Sequence, residues 1–317
     1  MESQYINNKS YVDAESRVID MKKLVFFNAK GGTGKTTLCY NYGWYLALKR
    51  QKRVLFLDFD PQINLVKSFP HVPPQALEKT IEKMVVRYTH KQPIDLNDYL
   101  LRINPHIDIL PSSNNISQLD EYLTDYLLER CCKENTIYQA QHRNVLIRRV
   151  LEEAIPEGSY DYVLIDSQPN YSLLSTSAIL YAQNIVVIMR PELFSYLDVG
   201  YLFKICRTLS EKFNVDIRIV AALINAYESG RAINRTIAEK CRSKYGDRFP
   251  ILEQKIRNLA AYQMSITMER RPVFVSYPNS AAAIDILKAF RELDAFVDAA
   301  APNPVPESNP NSTTYTY

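Results

Sequence analysis

The sequence Asn28-Ala29-Lys30-Gly31-Gly32-Thr33-Gly34-Lys35-Thr36-Thr37 directly follows the apolar run Leu24-Val25-Phe26-Phe27. This order predicts a buried strand, a glycine turn and the first turn of a helix. Glycine is scarce in the rest of the chain, with 8 glycines in 317 residues, whereas about 7% is usual. Because three of these glycines fall within this stretch, the conformational freedom of the backbone is concentrated at one site.

The stretch contains the residue types that a phosphate-binding backbone needs. Glycines allow positive φ angles and close approach, so successive N–H groups can point at one anion, and the helix N-terminus adds its dipole. We expect Lys35 to bind the β and γ phosphates, the Thr36 hydroxyl to ligate Mg²⁺ and Thr37 to contact the α phosphate. The alternative is an ordinary glycine-rich turn beside a lysine. The strand before the turn and the helix after it favour the phosphate loop.

The segment from Lys30 to Thr37 resembles the deviant Walker A motif of the ParA/MinD family of dimerising ATPases, and it is closest to the ParA/Soj-type partition ATPases. Ala29 replaces the usual first glycine, and Lys30 follows it. The resemblance implies that Lys35 binds ATP within its own subunit. It also implies that Lys30 reaches the nucleotide of a facing subunit, which makes ATP part of a homodimer interface and gives both lysines a catalytic role. The residues that it implies for ATP binding are Lys30, Gly31, Gly32, Thr33, Gly34, Lys35, Thr36 and Thr37.

Length and composition fit one large α/β domain, because 317 residues with 46% apolar content can bury a sizeable core. We predict a P-loop NTPase with a mostly parallel, doubly wound sheet flanked by helices. The expected organisation is a flexible N-terminal arm at residues 1–20, a ParA-like ATPase domain at residues 21–299 and a disordered tail at residues 300–317. The five cysteines form no CxxC pair and no zinc-like spacing, so we expect reduced thiols.

Two aspartates follow the predicted strand Val54-Leu55-Phe56-Leu57, at the edge where open α/β sheets bind ligands. An isolated Asp-x-Asp is more often a polar strand end. Here the run from Asp58 to Asn64 resembles the second ATPase motif of the ParA family, Asp-x-Asp-Pro-Gln-x-Asn. The resemblance implies that Asp60 orients the attacking water and that Asp58 helps to hold the Mg²⁺ shell or the loop.

A further apolar strand, Tyr160 to Ser167, delivers Asp166 at its end. The alternative is an aspartate that caps the next turn. Asp166 matches the Walker B aspartate of the family, which binds Mg²⁺ through water. The family usually continues Asp-x-Pro-Pro, whereas Gln168 stands here in place of the first proline, so the geometry of this loop is open.

The remaining chain suggests further elements of the same sheet. Residues 184–189 and 217–224 are predicted strands, and Asn225 at the end of the second is either an adenine contact, because a carboxamide donates and accepts, or a turn residue. Residues 68–102 suggest charged helical segments without a recognisable site. The segment 256–273 resembles the late ParA segment that leads to a last strand.

Residues 231–258 hold eight positively charged residues against three acidic ones, although the net charge of the whole chain is only +3. A solvated helix face is the alternative for such a stretch. In the ParA family the matching region binds DNA without reading its sequence, through phosphate contacts that weaken with salt. The DNA-binding candidates are Arg231, Arg235, Lys255 and Arg257.

These patterns together predict a cytoplasmic, nucleoid-associated ATPase that uses ATP and Mg²⁺, dimerises with ATP, binds non-specific DNA and partitions or positions a plasmid, chromosome or other cargo. The expected partner is a ParB-like or cargo-adaptor protein that stimulates hydrolysis. No membrane partner is expected, because the C-terminal residues lack the basic amphipathic helix of MinD-type relatives. The alternatives are the positioning of a protein assembly, and an ATP-using ligase or synthetase on the same nucleotide core. A metal carrier and a bacterial tyrosine kinase are less favoured.

Overall fold

The computed structural model describes residues 21–70, 72 and 78–300. The arm predicted at residues 1–20 and the tail predicted after Ala300 lie outside the described residues. The strands in the described part are β1 (Lys22–Phe27), β2 (Val54–Phe59), β3 (Leu101–Asn104), β4 (Ile107–Leu110), β5 (Tyr162–Ser167), β6 (Asn184–Met189) and β7 (Arg218–Ile224). The helices are α1 (Lys35–Arg50), α2 (Asn64–Lys67), α3 (Ile81–Thr89), α4 (Leu119–Glu134), α5 (Gln141–Ala154), α6 (Leu173–Ala182), α7 (Leu193–Phe213), α8 (Ala232–Tyr245), α9 (Ala260–Met264), α10 (Val273–Ser276) and α11 (Ala281–Ala299).

The seven strands form one sheet in the order β3-β4-β2-β5-β1-β6-β7. Every neighbouring pair is parallel except β3 and β4 at one edge. The chain passes from β1 to β2 on one side of the sheet and reaches β6 on the other side. The loop after β1 therefore lies at a topological switch point, where sheets of this class bind their ligands. The predicted doubly wound, mostly parallel fold is confirmed.

Helices cover both faces of the sheet, because the strands are apolar on both sides. In β1, Val25 and Phe27 pack into one core with α3 to α8, whereas Leu24 and Phe26 pack into the other core with α1, α2, α10 and α11. All four side chains are at most 1% exposed. Continuous apolar strands of this kind are typical of parallel sheets that are covered on both faces.

Two expectations about the elements were wrong. The charged region 68–102 ends in β3, an edge strand that starts at Leu101 and runs antiparallel to β4. Its charged residue Arg102 pairs with Asp108 on β4, which makes a charge compatible with a strand. After β7 the described residues contain no further strand, and only isolated bridges at Ile251 and Arg257 pair with the β7 region. Helix α10 occupies the place where a last strand was expected.

Candidate nucleotide site

The glycine turn has the backbone shape that the sequence predicted. Gly32 and Gly34 have φ angles of 69° and 95°, in the left-handed region, and α1 begins directly after Gly34. A Cβ atom on Gly34 would lie 2.2 Å from the Asn225 Nδ2 atom, so this position excludes a side chain for two separate reasons. The N-terminal N–H groups of α1 are thus placed beside a wrapped, glycine-rich loop, which is an anion-binding arrangement.

Two asparagines fix this loop to the sheet. The Asn28 Nδ2 atom donates to the Ile188 carbonyl at 2.6 Å, and the Asn28 Oδ1 atom accepts from the Lys30 N–H at 2.8 Å. The Asn225 Nδ2 atom donates to the Thr33 carbonyl at 2.8 Å. Asn225, the predicted adenine contact, thus braces the phosphate loop. Its contact with adenine stays a prediction.

The two lysines of the loop occupy different environments. Lys35 is only 6% exposed, and its ammonium donates to the Lys30 carbonyl at 3.0 Å. Burial lowers the pKa of Lys35, and the nearby Asp166 and Asp60 carboxylates act in the opposite direction. The Lys30 side chain is 33% exposed and its ammonium lies 3.9 Å from Glu192, the residue before α7. Lys35 therefore points into the site, whereas Lys30 stands at its rim.

Asp58 and Asp166 are register partners on β2 and β5, and both are fully buried. The Thr36 hydroxyl donates to Asp166 Oδ2 at 2.6 Å, while Asp166 Oδ1 is buried without a hydrogen-bond partner among the described residues. Burial raises the pKa of Asp166 to about 7, against the lowering effect of the Thr36 bond. Burial, and then the Asp166 charge, raise the pKa of Asp58 well above its usual range. Two buried carboxyls side by side favour a cation nearby.

The residues present fit a magnesium ion. The Thr36 hydroxyl and the open Asp166 oxygen are hard oxygen ligands of the type that Mg²⁺ prefers. Within the described ranges no group of three His, Cys, Asp or Glu side chains is placed to hold a metal alone. The fit is therefore to an ion that takes few protein ligands and completes its shell with phosphate oxygens and water.

Asp58 and Asp60 organise the loop after β2. Both Asp58 oxygens accept backbone N–H groups at 3.1 Å, Oδ1 from Asp60 and Oδ2 from Val66. Asp60 is 8% exposed, and its Oδ1 accepts the Gln62 N–H at 2.9 Å. The structure thus gives Asp58 the loop-holding contacts, and its role toward Mg²⁺ stays a prediction.

Two pockets that share five lining residues open at the phosphate loop. The phosphate pocket, of about 630 Å³, is lined by Lys35, Thr36, Asp60 and Arg270 together with other residues of the loop. The Asn225 pocket, of about 490 Å³, is lined by Asn225 and by residues of the segment 257–267, but not by Lys35, Thr36, Asp60 or Arg270. The shared residues are Gly32, Gly34, Thr37, Ile266 and Thr267. The shared wall is suited to a ligand that extends from one pocket into the other.

The family described as "AAA domain" matches residues 21–219, more than half of the chain. A relative from Chlamydia psittaci, "Virulence plasmid ParA family protein pGP5-D", is 29% identical over 280 residues, which cover 86% of this chain and 95% of the relative. This chain belongs to the ParA-type P-loop ATPases. Its enzymatic activity is therefore the hydrolysis of ATP.

Other ParA-type and related proteins share most of the chain. "Cell division protein PomZ" of Myxococcus xanthus is 27% identical over 265 residues, with 84% of this chain and 75% of the relative covered. The crystal structure of cobyrinic acid a,c-diamide synthase from Mycobacterium smegmatis with bound ADP and magnesium superimposes with a TM-score of 0.67 at 21% identity, covering 90% of this chain and 98% of that one. The second likeness shows a common fold.

The segment 257–270 is a part of this ParA-type site for which the sequence predicted only the DNA candidate Arg257. Tyr262, Gln263, Ile266 and Thr267 line the Asn225 pocket, and Ile266, Thr267 and Arg270 line the phosphate pocket. The only signal in the sequence was the resemblance of residues 256–273 to a late family segment, which assigned no contact. The segment reaches the site because its turn folds back against α1, where the Tyr40 hydroxyl donates to the Arg270 carbonyl at 3.0 Å.

The four predicted DNA contacts differ in their exposure and in the side chains that they contact. Arg235 is exposed on α8, and Arg231 pairs with Glu228 at 2.6 Å. The Lys255 ammonium lies 5.2 Å from the centroid of the Tyr227 ring. Arg257 makes a two-pronged contact with the buried Asp285, at 2.7 and 2.9 Å. Their contact with DNA stays a prediction.

Among the described residues, none of the helices combines the length and the apolar character that a membrane span requires.

Proposed function

We propose that this ATPase closes into a homodimer around ATP, binds DNA without reading its sequence in that state, and partitions or positions a plasmid, chromosome or other cargo in the cytoplasm on the nucleoid. A ParB-like or cargo-adaptor protein would stimulate hydrolysis and so release the DNA. The observation that carries the proposal is the separation of the two loop lysines. Lys35 is enclosed with the phosphate loop, whereas Lys30 stands at the rim, where a second subunit could present its nucleotide.

An apolar stripe beside Lys30 supports the dimer. Leu193, Leu197 and Tyr201 project from α7 at a spacing of one helical turn, and each is more than half exposed. The helix starts directly after Glu192, the residue 3.9 Å from Lys30. The Tyr201 ring also packs against Tyr171, in the loop after Asp166, with centroids 5.1 Å apart. Burial of this stripe by a second subunit would link the dimer to the state of that loop.

Hydrolysis needs three contributions from this chain. Lys35 and the N–H groups of the phosphate loop hold the phosphates, and Thr36 with Asp166 would hold Mg²⁺, which offsets the charge of the phosphate oxygens. Asp60 lies in the phosphate pocket, fixed through the Gln62 N–H. We propose that it orients the attacking water, as the family motif implies.

One surface and two relatives bear on the cargo. Helix α8 presents exposed cations such as Arg235, which suits the phosphate backbone of DNA. The relative pGP5-D is named as a virulence plasmid protein, and the relative PomZ is named as a cell division protein. Both a DNA cargo and a protein-assembly cargo are therefore compatible with such a core. The synthase structure keeps the ligase alternative in view, because the same fold serves that chemistry.

The test is DNA binding by the purified protein with Mg²⁺ and either ATP or ADP, on several unrelated DNA sequences and across a salt series. We expect binding with ATP only, with similar affinity for all sequences and a steep loss with salt. The Lys30→Ala variant should still bind ATP but should neither dimerise nor bind DNA. The Lys35→Ala variant should fail at nucleotide binding itself.

Each contrary result identifies a different fault. A Lys30→Ala variant that dimerises normally with ATP would contradict the cross-subunit role of Lys30. Wild-type protein that dimerises with ATP but binds no DNA would remove the DNA proposal and leave the ATPase. ATP turnover that requires a metabolite and ignores DNA would favour the ligase alternative.

A further inference from the structure

Arg270 differs from the other cations of this region in its relation to the nucleotide site. It lines the phosphate pocket together with Lys35, Thr36 and Asp60, and it does not line the Asn225 pocket. Its side chain is exposed, and it forms no ion pair within the described residues. A guanidinium in a pocket with a phosphate loop is a planar, multiply donating partner for phosphate oxygens.

The backbone of Arg270 is held in place from two sides. The Tyr40 hydroxyl, on the helix whose first turn follows the phosphate loop, donates to the Arg270 carbonyl at 3.0 Å, and Tyr40 is fully buried. Residues Ser265–Glu269 form a π-helical turn that ends at Arg270, which has a left-handed φ of 49°. Single π-helical turns occur frequently at functional sites because they place one residue out of the regular helical path. Arg270 is thus tied to α1, the helix that starts directly after the phosphate loop.

The division between the two pockets indicates which part of the nucleotide Arg270 meets. The Lys35, Thr36 and Asp60 side chains, which serve the terminal phosphate and the attacking water, line the phosphate pocket alone. Arg270 likewise lines the phosphate pocket and not the Asn225 pocket. We propose that Arg270 contacts the terminal phosphate of ATP in its own subunit and helps this ATPase to distinguish ATP from ADP. The inference rests on the nucleotide site and does not require DNA binding.

The neighbouring arginine supplies a matched control. Arg271 is also exposed and carries the same charge, but it lines neither pocket. Its backbone N–H is bonded to the Ser265 carbonyl at 3.1 Å, so it belongs to the same turn. Any effect that comes from general charge near the site should be similar for the two arginines, whereas a phosphate contact should be specific to Arg270.

The experiment is calorimetric titration of the full chain with a non-hydrolysable ATP analogue and with ADP, each with Mg²⁺. For Arg270→Ala we expect about a tenfold loss of affinity for the ATP analogue, because a charged hydrogen bond is lost, and less than about a threefold loss for ADP. Arg270→Lys should recover part of the loss, since it keeps the charge without the planar fork. Arg271→Ala should bind both nucleotides as the wild type does.

Several outcomes would overturn the proposal. Unchanged affinity of Arg270→Ala for the ATP analogue would do so, as would equal losses for the two nucleotides or equal effects of the two alanine variants. Weaker DNA binding with unchanged nucleotide binding would assign Arg270 to DNA instead. The Lys35→Ala variant separates this failure from a wrong nucleotide site, because a wrong site would leave that variant able to bind the ATP analogue.

Discussion

At Gly34 the absence of a Cβ atom allows the phosphate loop to pack closely against Asn225 at the end of β7. The residue has a φ of 95°, and a Cβ atom would lie 2.2 Å from the Asn225 amide that braces Thr33. In Gly34→Ala, left-handed strain of about 1–2 kcal/mol adds to this clash, so the bracing bond should break. We expect ATP affinity to fall by at least about tenfold in calorimetric titration.

Gly32→Ala is the control for this prediction. Gly32 also has a positive φ, of 69°, but a Cβ atom there meets nothing within 4 Å. It should lose the strain of about 1–2 kcal/mol, visible as a modest fall in the melting temperature, and its ATP affinity should fall less than that of Gly34→Ala because the Asn225 bond to Thr33 is kept. If both variants lose ATP affinity equally, the clash with Asn225 is not what makes Gly34 necessary.

Some residues of the site are recognisable from a short stretch of sequence, whereas others come together only in the folded chain. The phosphate loop, Asp60 and Asp166 were predicted from the sequence because each motif is short and follows directly after a buried strand. The contact from Tyr40 to Arg270 joins residues that are far apart in the chain, and no spacing in the sequence encodes it. The same is true of Arg257, predicted as a DNA contact, whose pairing with Asp285 exists only once α11 has packed.

At the scale of elements, α7 carries the exposed apolar stripe of Leu193, Leu197 and Tyr201. We predict that Leu197→Glu lowers ATP-dependent dimerisation by about tenfold or more, because a charge replaces an apolar contact near the centre of the stripe. Nucleotide affinity of the monomer should be unchanged, since Leu197 lines neither pocket. Analytical ultracentrifugation with ATP and with ADP measures the effect.

Leu128→Glu on α4 is the matched control. Leu128 is 41% exposed, and the Leu197 side chain is 51% exposed, so both substitutions add one charge to an apolar surface position. The Leu128→Glu variant should dimerise normally, because α4 packs against α5, whereas α7 starts directly after Glu192, the residue beside Lys30. Normal dimerisation of Leu197→Glu would remove the stripe from the interface.

The elements themselves were largely predictable, and the exceptions have physical reasons. Residues 184–189 have the predicted type and bounds, because a continuous apolar run is typical of a strand that is buried on both faces of a parallel sheet. Strand β3 was missed since it lies at the edge of the sheet, where only one neighbour pairs with it and its residues stay partly exposed. Edge strands tolerate charges, which removes the apolar pattern that identifies a strand.

For the whole molecule, a net charge of +3 cannot itself bind DNA, so the arrangement of charges decides. Residues 231–258 form a basic stretch, but its pattern could not separate cations that serve the fold from those that remain available to a ligand. In the structure Arg257 compensates Asp285, which is 5% exposed, while Arg235 stands on the surface of α8. These two arginines were equal candidates in the sequence and differ in the folded chain.

We therefore predict different consequences for the same substitution. Arg235→Ala should weaken DNA binding similarly for all sequences, and the slope of log affinity against log salt concentration should become smaller by about one. The free energy of unfolding of this variant should be unchanged. Arg257→Ala should lower the free energy of unfolding by about 1–3 kcal/mol, because it leaves a buried carboxylate without its partner. Urea unfolding and DNA titration over a salt series measure the two effects. A lower free energy of unfolding for Arg235→Ala would contradict this assignment of the two arginines to ligand and fold. Weaker DNA binding with an unchanged free energy of unfolding for Arg257→Ala would contradict it as well.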